Sequence, residues 1–265
     1  MNATAIQETD LAGSAPAPAP SPVQIRQVTL RDIRDSLSLG FQDLRNYRMD
    51  GLLMAAIFPV AGLAFAAVFV LQGFLEVLFP LLAGFALVGP LATLWFAAHS
   101  RQRERGDESV LSAFTPDRLV AIQRLSGITI LVYLGWNVSA ILIYAFTLGS
   151  SNENAKAFFF TRVFTTQAGW EMLVVGCLVG AVFAVVTLSI NCISFALVLD
   201  RQISASQAIS FSVKAMLRNP MFVLAWGAVV AAGLVLGALP CLLGFVVVLP
   251  VLGHASWHMY RRMVG

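Results

Sequence analysis

The chain has 265 residues, 58% hydrophobic and only 12% charged, with a mean hydropathy of +0.80. Soluble domains average about 45–50% apolar and about 25% charged, and apolar runs as long as these would leave a large greasy surface in water, so an aqueous globular fold is excluded. The net charge of +3 comes without a dense Lys/Arg patch beside exposed aromatics, which argues against nucleic acid as a partner.

Residues 11–22 read LAGSAPAPAPSP. This composition cannot build a core, and residues 1–24 are expected to form a disordered Ala/Pro-rich tail. Glu8 and Asp10 stand where a secretory signal would be basic, and no apolar h-region follows them. The rest, residues 25–263, is expected to be a single all-α membrane domain.

Thr29-Leu30-Arg31-Asp32 has the form of a capping box. Leu30, Ile33, Leu37, Phe41 and Leu44 then recur at helical spacing among charged residues, which predicts an amphipathic helix in the membrane interface. A membrane-spanning helix needs about 20 apolar residues. The first predicted span runs from about Leu52 to Leu75 and the second from about Val77 to Ala98, with a turn at Gln72, Gly73 and Glu76. A second amphipathic segment, residues 109–125, contains a Thr115-Pro116-Asp117 helix start. The third span covers about Ile128 to Leu148, and the fourth about Trp170 to Leu199. Ser204 and Gln207 form another capping box, followed by an apolar stripe of Ile209, Val213, Met216 and Leu217. The fifth span covers about Met221 to Leu239 and the sixth about Cys241 to His258, hinged at Pro240. Pro59, Pro80, Pro90 and Pro250 fall inside spans and predict kinks.

Fifteen of the seventeen Lys and Arg residues fall on one side of such a six-span chain; only Lys156 and Arg162 fall on the other. The positive-inside rule then predicts a multi-pass protein of a bacterial inner membrane with both termini in the cytoplasm. Leu44-Arg45-Asn46 and Leu217-Arg218-Asn219 stand at matching places before spans one and five. The expected architecture is therefore six transmembrane helices as three hairpins, each preceded by a cytoplasmic interfacial helix, with repeats at 28–98, 109–199 and 204–260.

The candidate chemistry is sparse. His254 and His258 share a helix face four residues apart, and His99 sits at the same predicted membrane level. Together they could hold a metal or a haem; the plainer expectation is interfacial residues, with Trp257 and Tyr260 as aromatic anchors, and no cofactor is predicted. Asn137, Ser189 and Asn191 are the intramembrane polar residues, expected chiefly to bond neighbouring helices. Gly176 with Gly180, and Gly233 with Gly237, have the spacing of close helix contacts, within the monomer or in a homodimer. Cys177, Cys192 and Cys241 lie in apolar runs and read as small buried hydrophobes. No GxSxG, HExxH, Walker A or Rossmann signature appears.

Leu199-Asp200-Arg201, the Ser204–Pro220 segment, and above all the stretch LPVLGHASWHMYR from Leu249 to Arg261 resemble a bacterial family of predicted integral membrane proteins of unknown function, domain of unknown function 2189. Some members carry the label of a cytochrome c oxidase subunit. The resemblance covers roughly residues 25 to 263 and implies a six-helix inner-membrane protein with no assigned catalytic residues. Three functions follow as expectations: a non-enzymatic, partner-binding or complex-assisting membrane protein; a small-solute or lipid transporter, which needs a membrane-depth cavity lined by Asn137 or Asn191; or a haem- or metal-binding protein linked to a respiratory oxidase.

Overall fold

The computed structural model describes residues 23–46, 49–71, 89–149 and 159–265. The tail up to residue 22, the turn at Gln72, Gly73 and Glu76, residues 77–88 of the second span with Pro80 and Gly84, and Lys156 lie outside the described residues. The described residues form ten α-helices: α1 (Leu30–Arg45), α2 (Met49–Leu71), α3 (Gly89–Arg105), α4 (Pro116–Thr147), α5 (Phe159–Thr165), α6 (Gln167–Asn191), α7 (Ser194–Asp200), α8 (Ala205–Arg218), α9 (Pro220–Ala238) and α10 (Phe245–Met263). A 3₁₀ turn at Val110–Ala113 precedes α4, and an isolated antiparallel bridge joins Ile25 to Val264.

Three stretches are long and apolar enough to cross a membrane: Pro116–Thr147, Gln167–Asp200 and Pro220–Ala238. Only 11%, 6% and 22% of their most apolar windows are buried within the protein, so their greasy faces require lipid. Shorter apolar sequence lies in α2 at Leu53–Val68.

The predicted starts and stops hold where a side chain caps a helix. The Asp32 carboxylate accepts from the Thr29 N–H at 2.7 Å and from its hydroxyl at 2.8 Å. Gln207 accepts from the Ser204 N–H at 3.0 Å, and Ser204 Oγ accepts from the Gln207 N–H at 3.3 Å. Elsewhere the boundaries shift. The expected middle interfacial helix does not stand apart: from Pro116 one helix of 32 residues runs into the third span, because no proline or cap interrupts it. The fourth span breaks at Cys192-Ile193, where the Ile193 N–H reaches sideways to Ser212 Oγ at 3.4 Å, and restarts as α7. The helix expected as a sixth span begins at Phe245 rather than near Cys241, since Cys241 and Leu242 take positive φ angles of 50° and 66° in the turn around Pro240; it is not among the helices long and apolar enough to cross a membrane.

The principal apolar core lies at the arginine-rich end of the helices. Ile33, Leu125, Ile193, Leu197, Trp257 and Met263 are among its members. Every residue of α7 is buried. These helix ends form a cap with a packed interior, while the spans beyond it meet one another more loosely.

Helix α1 is an amphipathic helix as expected, but its buried face is Ile33, Ser36 and Gly40, whereas Leu30 and Phe41 of the predicted stripe are exposed. It runs antiparallel along α10: Asp32 meets Arg262, and Gly40 meets Val251 and Ala255. Small residues decide this. A Cβ on Gly40 would stand 2.7 Å from both the Ala255 nitrogen and the Val251 oxygen, which are backbone atoms that cannot yield. The same logic rotates α8, which buries Ala205, Ala208, Ser212 and Ala215 while Leu217 remains exposed. Of the spaced glycines, Gly180 lies against Trp136, Gly233 against Leu252 and Gly237 against Phe245; a Cβ on Gly176 would meet nothing within 4 Å.

Gly40→Val is accordingly expected to destabilise the protein by about 1–3 kcal/mol through overpacking, read as a lower thermal midpoint in detergent. Gly176→Val, with open space around it, should leave the midpoint nearly unchanged.

Candidate functional site

Two regions gather polar groups: a charged node inside the cap and a cavity between the spans. At the node, α1, α3 and α10 converge on one carboxylate. Asp43 Oδ2 accepts from His258 Nε2 at 2.9 Å and from the Ser100 hydroxyl, and lies 3.7 Å from His254 Nδ1. Arg103 donates to Asp43 Oδ1 at 3.0 Å and to its backbone oxygen at 3.1 Å. Ser100 Oγ is 2.8 Å from His254 Nδ1. With its one proton given to Asp43, Ser100 must accept there, which places the proton on Nδ1 of His254. Burial alone would raise the Asp43 carboxyl, but hydrogen bonds from His258 and Ser100 and the charges of both histidines outweigh it and bring it down to about 2.

A second network lies on neighbouring residues of α3 and α10. Asp200, 5% exposed, accepts from Tyr260 at 2.7 Å and from Arg105, with Arg261 at 3.8 Å. Glu104 accepts from Trp257 Nε1 and from Arg261 Nε, both at 2.7 Å. Burial and the adjacent Asp200 charge push the Tyr260 hydroxyl well above its usual range, so it remains a donor. Trp257 and Tyr260 are thus not interfacial anchors. Both are fully buried, each with its polar tip on a carboxylate, as buried Trp and Tyr require.

His254 and His258 meet at Asp43, but the His99 ring sits edge-on to Trp95, with Nδ1 3.0 Å from the Trp95 carbonyl. Among the described residues, no group of three His, Cys, Asp or Glu side chains is arranged to hold a metal ion. Sequence reasoning missed Asp43, which stands 215 positions from His258. The available signal was its place on the α1 face that also carries Ser36 and Gly40.

The cavity is a half-open cleft between α3, α6, α7, α9 and α10 with a volume of about 180 Å³. Its walls are mainly apolar, with Leu188, Phe195, Trp226, Leu234 and Leu249 among them. Asn191 and Thr187 line it one turn apart on α6. Asn191 is 8% exposed, and its Oδ1 accepts from Thr129 of α4 at 3.1 Å. Asn137 and Ser189 instead bond their own helices, at Tyr133 O and Val185 O. None of the histidines lines the cavity.

Long, apolar helices with lipid-facing surfaces define an integral membrane protein. Residues 78–200 match the family described as "Predicted integral membrane protein (DUF2189)". The match runs from the second predicted span through α7 and stops short of the LPVLGHASWHMYR stretch. No curated protein and no solved structure matches the chain.

The depressed Asp43 carboxyl contributes stability that is complete above its unfolded value near 4 and lost as pH falls toward 2. Between pH 4.5 and 2.5 the wild-type thermal midpoint should fall more steeply than that of Asp43→Asn. At pH 7 that variant should be less stable by about 1–3 kcal/mol, the worth of hydrogen bonds to a charged acceptor. Equal slopes for the two proteins would refute the assignment.

Proposed function

We propose that the protein is a non-catalytic, six-span component of a bacterial inner membrane that takes up a membrane-soluble, mostly apolar molecule between its helices and carries or presents it. One observation carries this reading: a cavity stands among α3, α6, α9 and α10 and is lined by Asn191, the place a solute- or lipid-handling role requires. Its volume of about 180 Å³ is of the order of engineered apolar cavities of about 150 Å³ that bind benzene, but unlike them it is partly open. A single hydrocarbon chain or a small ring fits; a whole phospholipid does not. Among the described residues, no Asp, Glu, Lys, Arg or His lines it, which favours a neutral occupant over a coupled ion.

The cap then serves as the rigid base on which the spans stand. Its arginines support a cytoplasmic placement by the positive-inside rule, with both termini on that side, residues 25–263 as one domain, and the helices α1 and α8 as related parts of repeated units.

Two measurements test this. Native mass spectrometry of the protein released from mild detergent should show a bound apolar adduct. Ala184→Trp and Ala231→Trp, which fill the cavity from its walls, should reduce that adduct at least tenfold with no loss of folding; an adduct of equal intensity in both variants rejects the cavity as its site. For orientation, a reporter fused after Gly265 should be active only in its cytoplasmic form, and export of the fusion would overturn the topology.

A further inference from the structure

The charges of α1 are used unequally. Its carboxylates are spent within the protein: Asp32 and Asp35 meet Arg262, and Asp43 meets His258 and Arg103. Its arginines Arg31, Arg34 and Arg45 are exposed and form no ion pair among the described residues. Helix α8 shows the same surplus. Lys214 and Arg218, one turn apart, are exposed without a carboxylate partner among the described residues, and Leu217 between them is 75% exposed. The two helices are joined at this corner. The Val28 N–H donates to Asn219 Oδ1 at 3.1 Å, and Asn219 Nδ2 donates to the Arg26 carbonyl at 3.0 Å. The exposed Leu30 and Arg31 follow within three residues of the pinned Val28, a reach of at most about 11 Å. On the other side of Asn219, α9 begins at Pro220, and Met221 is 74% exposed.

We propose that the corner where α8 turns into α9, together with the start of α1, binds the headgroup of an anionic phospholipid. The site is independent of the cavity between the spans. Helix α9 is long and apolar enough to cross a membrane, and its exposed side runs from Met221 through Leu224 to Val235 and Leu236. An acyl chain lying along that side brings its phosphate to the level of Arg218, two residues before α9 begins. There the phosphate meets Lys214, Arg218 and Arg31, cations whose charge no carboxylate of the described residues offsets. Their stems pack on apolar surface while their charged ends stay at the headgroup level. Leu217 and Met221 decide the kind of partner. A free phosphate would leave both in water, whereas the glycerol and upper chain of a lipid cover them. A zwitterionic lipid carries its own ammonium and gains less from the same three cations.

The test is native mass spectrometry of the purified full-length protein in mild detergent, titrated with dioleoyl-phosphatidylglycerol or dioleoyl-phosphatidylcholine. The first phosphatidylglycerol adduct should form at a concentration at least about fivefold lower, the effect of a single well-placed cation at a membrane surface. Lys214→Gln combined with Arg218→Gln should bring that preference to within about twofold with an unchanged thermal midpoint. Arg45→Gln combined with Arg124→Gln, which removes the same charge from exposed positions on α1 and α4, should retain it. If the first pair unfolds the protein, Arg218→Gln alone decides, with a preference at least halved. Soluble glycerophosphoglycerol at equal concentration should not displace the lipid. Equal binding of the two lipids, a preference that survives at Lys214 and Arg218 or falls equally in the control, or displacement by the soluble headgroup overturns the proposal. Binding of poly-L-glutamate in phosphatidylcholine nanodiscs, without a lipid preference, would also overturn it and assign the face to an acidic protein.

Discussion

The last two turns of α10 hold the molecule together, because each of their charged or polar side chains meets a carboxylate from another helix. His258 reaches Asp43 of α1, Trp257 and Arg261 reach Glu104 of α3, Tyr260 reaches Asp200 of α7, and Arg262 reaches Asp32 and Asp35 of α1. A buried carboxylate such as Asp200 tolerates burial only when its oxygens are fully engaged. Tyr260, Arg105 and Arg261 provide that engagement. The consequence is directional: α10 cannot rotate or slide by one residue without separating several of these pairs, so the network fixes its register against three other helices.

This explains why the core lies where it does. Within lipid there is little hydrophobic drive for helices to associate, since the tails are as apolar as leucine. At the cap, water is available to make burial favourable, and there Trp257, Tyr260, Leu197 and Met259 are sealed completely. The chain divides its problem accordingly. Stability is concentrated in the helix ends, and the spans are free to leave a gap between them. Gly237 and Gly244 show how tight the opposite end becomes: a Cβ on Gly244 would stand 2.7 Å from the Gly237 Cα, so α9 and α10 are joined closely at the turn and part around the cavity.

Much of this was legible in the residues. The apolar runs announced membrane helices, and the capping boxes at Thr29 and Ser204 placed helix starts to the residue. Pro240 placed the last turn correctly, although the positive-φ residues Cys241 and Leu242 extended it beyond the predicted boundary. Asn191 was recognisable as an uncommon polar residue in an apolar run. What the sequence concealed was long-range pairing. Asp43 looks like one more polar residue on an amphipathic helix, and nothing local says that Ser100 and two histidines from the far end of the chain will meet it. Trp257 and Tyr260 were misread for a related reason. A Trp and a Tyr near a span end suit a headgroup belt as well as they suit a buried pair, and only the positions of Glu104 and Asp200 separate the two.

The sharing of one carboxylate among several donors has an evolutionary consequence. Ser100, Arg103 and His258 all depend on Asp43, and His254 depends on it through Ser100. Loss of Asp43 would strand all of them at once, whereas loss of one donor leaves the others still served. Once the acceptor has gone, further changes among its former donors should cost little, so effects in this group will not add. Divergent descendants of this chain should therefore either keep the whole set or replace it together with apolar side chains, and intermediate combinations should be rare.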